Sequence, residues 1–182
     1  MLPLLLGCSN AVAPADDTWR LDTAPHSGDT DSAVRAEGVV LNELLADNQS
    51  GITSELGEHE DWIELHNSGS EAIDLTGWSL SDDAEAPWSI TPSQSLAPGA
   101  FLLIWCDDPD RDDPKRDDLT DPHASFKLSR DGERVVLQDD QGETIDAVTY
   151  PMLVPDQSWG RSLDGDQEWD YTVEPTPGAN NL

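Results

Sequence analysis

Residues 60–83 read EDWIELHNSGSEAIDLTGWSLSDD. Asp61-Trp62-Ile63-Glu64-Leu65-His66 places Trp62, Glu64 and His66 on one side of an extended segment and Ile63 and Leu65 on the other, the period of two that marks a strand. Asn67-Ser68-Gly69-Ser70 supplies residues that turn a chain easily, and Ala72-Ile73-Asp74-Leu75 resumes with β-type composition. After Thr76-Gly77, Trp78-Ser79-Leu80-Ser81 alternates again. Three short strands joined this tightly predict an antiparallel β domain, because a parallel crossover needs about a dozen residues or more. Trp62, Ile63, Leu65 and Trp78 are its predicted core or near-core positions.

Outward from this stretch the same grammar repeats. Val39–Leu45 is the predicted first strand, followed by a polar loop over residues 46–59 that is long for a compact domain. Downstream, Pro87-Trp88-Ser89-Ile90 is a short strand, Ala97-Pro98-Gly99 a turn, and Phe101-Leu102-Leu103-Ile104-Trp105 a continuous apolar run suited to an interior. Arg134–Gln138 and residues 144–150 form a predicted hairpin across Asp139-Asp140-Gln141-Gly142, and residues 167–173 a last strand. Strands about ten residues apart with turn signals between them point to a β-sandwich. No helix longer than a turn is predicted.

The run DWIELHNSGSEAIDLTGWSLSDD resembles the core signature of lamin-tail domains. Val40-Leu41-Asn42-Glu43-Leu44-Leu45-Ala46-Asp47-Asn48 is similar to that family's opening strand, and Leu96-Ala97-Pro98-Gly99-Ala100-Phe101-Leu102-Leu103 to its middle one. Phe126-Lys127-Leu128-Ser129, Ile145-Asp146-Ala147-Val148-Thr149-Tyr150-Pro151 and Thr176-Pro177-Gly178-Ala179-Asn180 are similar to later segments, in the family's order. The resemblance covers about residues 38–180. It implies an all-β, immunoglobulin-like β-sandwich with a role in binding or scaffolding, and it implies no reaction.

Composition narrows the partners. Nine Lys and Arg stand against 38 Asp and Glu, a formal charge of −29 on 182 residues. That field disfavours nucleic acid and anionic membrane at long range and favours cationic partners. Seven Trp against two Phe and two Tyr read as large core anchors. Cys106 closes the apolar run from Phe101 and reads as a small buried hydrophobe.

The first eight residues, MLPLLLGC, end in Leu5-Leu6-Gly7-Cys8, which resembles the lipobox of bacterial lipoprotein signal peptides and implies lipidation at Cys8. Two departures stand out, a missing basic segment and a short apolar run; a start codon placed too late accounts for both. Residues 9–37 are rich in Ala, Pro, Asp, Ser, Thr and Gly, with too little apolar surface to offset their ordering entropy. They read as a disordered tether ahead of a domain over residues 38–182. Ser9 after the Cys resembles the sorting pattern of outer-membrane rather than inner-membrane lipoproteins.

Catalytic signatures are missing from the sequence: it has no Gly-x-Ser-x-Gly elbow, no His-Glu-x-x-His, no phosphate loop and no paired Cys for zinc. His66 and His123 could meet only through the fold and read as surface or hydrogen-bonded residues. Glu43 and Glu64 are a conceivable carboxylate pair, one of many combinations in so acidic a chain. Residues 107–121, DDPDRDDPKRDDLTD, hold eight Asp and three basic residues. Within them Asp108, Asp110 and Asp112 copy the first ligands of a calcium loop, but Asp113 replaces its turn glycine and Leu119 its bidentate Glu. A looser calcium cage and a solvated acidic loop are the two readings of this run, with Asp164-Gly165-Asp166 and Ser81-Asp82-Asp83 as smaller candidates.

These observations predict a lipid-anchored protein of the bacterial envelope, in the outer membrane or at the cell surface. It displays a non-enzymatic binding or structural module toward a protein or envelope component. It requires no cofactor, calcium being the one ion considered, and takes no nucleic acid. The alternative is an accessory domain serving a separate secreted nuclease or other hydrolase.

Overall fold

Strand-forming stretches account for nearly all the regular structure in the computed structural model, which describes residues 38–82, 87–92, 94–108 and 119–181. In order these are β1 (Val39–Leu45), β2 (Asp61–Asn67), β3 (Ile73–Asp74), β4 (Ser79–Ser81), β5 (Trp88–Ser89) and β6 (Ser95–Leu96). There follow β7 (Phe101–Cys106), β8 (His123–Ala124), β9 (Arg134–Gln138), β10 (Thr144–Thr149), β11 (Ser158–Arg161) and β12 (Trp169–Thr172). No helix occurs among the described residues.

Two sheets make an immunoglobulin-like sandwich. The larger runs β12-β11-β1-β2-β7-β8, the smaller β10-β9-β4-β5, and β3 pairs with β6 as a separate ribbon. Every pairing is antiparallel except β7 with β8. The closely spaced strands of residues 60–83 do not pair with one another as their tight connections suggest. Instead β2, β3 and β4 enter three different sheets, so the short turns serve as corners that carry the chain from one layer to the other. The turn read at Ala97-Pro98-Gly99 is present, with Ala100 N–H donating to Ala97 C=O at 3.0 Å, and it divides the family's middle strand into β6 and β7.

The core lies between the layers. Leu41, Ile63, Leu65 and Ile104 from the large sheet meet Leu80, Val135, Leu137 and Val148 from the small one, with Leu75, Ile90 and Leu96 at the corner. Each such side chain contributes about 1.5–3 kcal/mol relative to exposure. Cys106 joins this core, and burial pushes its thiol well above the usual range. Trp78 is half-buried and packs on the rim of the core, whereas Trp62 lies on the outer face of the sheet with Leu45 and Trp105. Both faces of β2 are therefore buried.

Two local features shape the outer face of the large sheet and its tie to the smaller one. Between Leu41 and Glu43 the β1–β2 register shifts by one residue, a bulge that turns Asn42 and Glu43 to the same side. Arg161 of β11 then ties the layers together: Nε donates to Leu41 C=O at 2.6 Å, Nη1 to Asp166 C=O, and Nη2 to the Asp146 carboxylate at 2.6 Å. Asp146 lies on β10 and also accepts the Leu41 N–H at 2.9 Å.

Candidate functional site

Behind the bulge, on the outer face of the large sheet, lies a buried polar cluster. Glu43 and Glu64 are direct cross-strand partners, at 1% and 0% exposure. Asn42, Asp164, Ser158 and Asn181 are buried around them. The two acids that the sequence offered as one combination among many are thus brought together.

Their oxygens are occupied. Glu43 accepts from Ser158 Oγ at 2.5 Å, from Thr176 N–H at 3.0 Å and from Thr176 Oγ1 at 3.0 Å. Glu64 accepts from Gly178 N–H at 2.6 Å and Asn42 Nδ2 at 3.1 Å. Asp164 accepts from Asn42 Nδ2 at 3.0 Å and Asn181 N–H at 2.9 Å. Asn181 Nδ2 in turn donates to Arg161 C=O at 2.7 Å. Most of these donors belong to residues 176–181, so the cluster fastens the C-terminal segment across the sheet.

Electrostatics follow from that burial. Desolvation raises the Glu43 carboxyl, against hydrogen bonds from Ser158 and Thr176. For Glu64 desolvation is again the largest cause, with Glu43 and Asp164 adding like charge, and its pKa is pushed up to about 7 despite Gly178 and Asn42. A raised carboxyl suits a general acid. Here, though, the partners are the protein's own backbone and side chains, as in a structural latch.

A groove of about 450 Å³ opens beside the cluster, lined by residues that include Gly160, Asp170, Glu174, Pro175 and Thr176. Gly160 keeps its floor clear, since a Cβ there would stand 3.2 Å from Glu43 Cγ.

The two histidines do not meet. His66 stacks on Phe101, with ring centroids 4.5 Å apart. His123 pairs with Trp105, at the opposite end of β7. His123 Nδ1 lies 2.7 Å from Asp107 Oδ2, and its Nε2 3.6 Å from Glu55 Oε1. Glu55 also accepts the N–H groups of Thr120 and Asp121, each at 2.9 Å. Burial acts to raise Glu55, but these N–H bonds, the Thr120 hydroxyl and His123 lower it below the ordinary value. This second acidic contact holds the return of the chain into β8.

Among the calcium candidates, Asp108 is exposed with φ +42°, while Asp110 and Asp112 lie outside the described residues, as do Cys8 and the tether. Among the described residues no three His, Cys, Asp or Glu converge as a metal site. Asp164, a smaller candidate, is committed to the latch. Sequence reasoning missed Asn42, Ser158, Arg161, Thr176 and Asn181. The one signal for them is the polar pair Asn42-Glu43 interrupting the apolar run VVLNELL.

Comparison with curated proteins finds no match. A family model described as Lamin Tail Domain matches residues 33–151, a span that holds β1 through β10. With well over half of the chain matched and the sandwich in place, the chain belongs to the lamin tail domain family.

Proposed function

We propose that this chain is a lipid-anchored protein of the bacterial envelope, held by Cys8 in the outer membrane or at the cell surface. It displays its lamin-tail domain as a non-enzymatic binding or structural module for a protein or envelope component. The observation that supports a module over a catalyst is the use made of Glu43 and Glu64. The most deeply buried carboxylate pair among the described residues is spent on Ser158, Thr176, Gly178 and Asn42. A charge of −29 sets the partner apart from nucleic acid.

Metabolic labelling with a fatty-acid analogue tests the anchor: the wild-type protein takes up label and sediments with membranes, and Cys8→Ser does neither. A Cys8→Ser protein that still sediments with membranes removes the anchor from this reading. Calcium at Asp108, Asp110 and Asp112 is an addition that the module does not require. Calorimetric titration at matched ionic strength decides it, with a higher melting point in calcium than in sodium as the expected result.

A further inference from the structure

β12 ends the large sheet, and its hydrogen-bond alternation with β11 fixes the direction of its backbone groups. Ser162 N–H donates to Glu168 C=O at 2.8 Å, and antiparallel pairs alternate between bonded and non-bonded. In the register that pairs Gly160 with Asp170 and Ser158 with Thr172, the next bonds toward β11 fall at those residues. Trp169 and Tyr171 therefore aim their N–H and C=O groups away from the sheet. The Tyr171 N–H is met by the Asp170 carboxylate at 2.8 Å.

The two faces of this edge differ in chemistry. Ser158 Oγ reaches Glu43, and a Cβ on Gly160 would approach the same residue, so both sit on the outer face with their partners Thr172 and Asp170. That face opens into the groove with Asp170 and Glu174 on its rim. Trp159, Arg161, Trp169 and Tyr171 share the other face, where Trp159 meets Tyr171 edge-on at 4.7 Å and Arg161 lies over Trp169 at 4.8 Å. On that face Tyr171 is 46% exposed.

We propose that the free edge of β12 docks an extended segment of a partner protein in which basic residues alternate with apolar ones, added as a further strand along Trp169–Thr172. This rests on reading the domain as a binding module. Each basic side chain falls on the groove face beside Asp170 and Glu174, and each apolar one beside Trp169 and Tyr171. A second copy of this chain is the wrong occupant, because edge-to-edge pairing of β12 would bring together two chains of charge −29, with Asp170 among the opposed like charges. Asp170 thus has two roles: it caps Tyr171 N–H against undirected pairing, and a basic partner draws it off that N–H.

The test is a titration of the full chain against a fluorescein-labelled peptide of alternating Lys and Val, at physiological ionic strength, read by anisotropy. A peptide of alternating Lys and Pro is the control, with equal charge and no N–H on alternate residues. Expected are saturable binding of the Lys-Val peptide, at least tenfold weaker binding of the Lys-Pro peptide, and at least tenfold loss in Asp170→Asn and Tyr171→Pro. Tyr171→Pro deletes an N–H that β11 does not use. Should that variant fail to fold, Asp170→Asn and amide shifts confined to residues 168–174 carry the result. Equal binding of both peptides, indifference to Asp170→Asn, or no binding of either overturns the docking edge. The module reading falls separately, if crosslinking on intact cells joins the anchored chain to nothing.

Discussion

Glu64 shows how a buried acid makes the fold sensitive to pH. Its carboxyl stands near 7 in the folded chain, against about 4.3 for an exposed Glu. A carboxyl raised by folding binds its proton more tightly in the native state. Its stabilising contribution is therefore complete below the unfolded pKa and is lost as pH rises through about 7. The domain is expected to be more stable at about pH 5 than at about pH 8, by on the order of 3 kcal/mol from this group. Glu43, raised in the same direction, adds to the trend. Thermal melts across that range should show Glu64→Gln with a flatter slope than wild type; parallel slopes would place the pH dependence elsewhere. At the other end of the latch, Thr176→Val keeps the shape but deletes the hydroxyl shared by Glu43 and Asn181. Chemical denaturation is expected to show a loss of about 1–3 kcal/mol; no loss would mean that water replaces the hydroxyl.

At the scale of the elements, the alternation in Asp61–Asn67 made a strand plain but left its burial undetermined. A half-buried strand and one buried on both sides share a period of two, and here the polar positions Glu64 and His66 are as enclosed as Ile63 and Leu65. Glu64 is covered by chain more than a hundred residues later and His66 by Phe101 of the neighbouring strand, neither of which local pattern can register. The same limit explains β8 and β11. A two-residue strand such as His123–Ala124 carries no periodicity, and Ser158-Trp159-Gly160-Arg161 has a glycine at the position where the latch needs room. Trp62 and Trp78 look equivalent in sequence but differ in the structure. Trp62→Ala, emptying the cluster with Leu45 and Trp105, is expected to cost about 3–5 kcal/mol. Trp78→Ala, at the half-exposed rim, should cost distinctly less, and equilibrium unfolding of the two variants checks the order.

For the molecule as a whole, the sandwich could be read from the resemblance and the strand spacing, whereas the latch and the docking edge could not. Ser158, Asp164, Thr176, Gly178 and Asn181 of the latch, and the whole docking edge, lie beyond the matched span of 33–151. The strand order β12-β11-β1-β2-β7-β8 puts the first strand made in the middle of the sheet, between the second and the second-last. During synthesis β1 has one flank open until the final quarter of the chain emerges, and contacts this distant in sequence slow folding. Trimming the protein to its recognised boundary would make that transient condition permanent. A chain ended at residue 151 keeps every strand of the smaller layer, yet exposes the apolar edge Val39–Leu45 and strands Glu43 and Glu64 without Ser158, Thr176 or Gly178. Size-exclusion chromatography is expected to find it aggregated while the full chain runs as a single species. Where the family signature stops is thus not a place to cut.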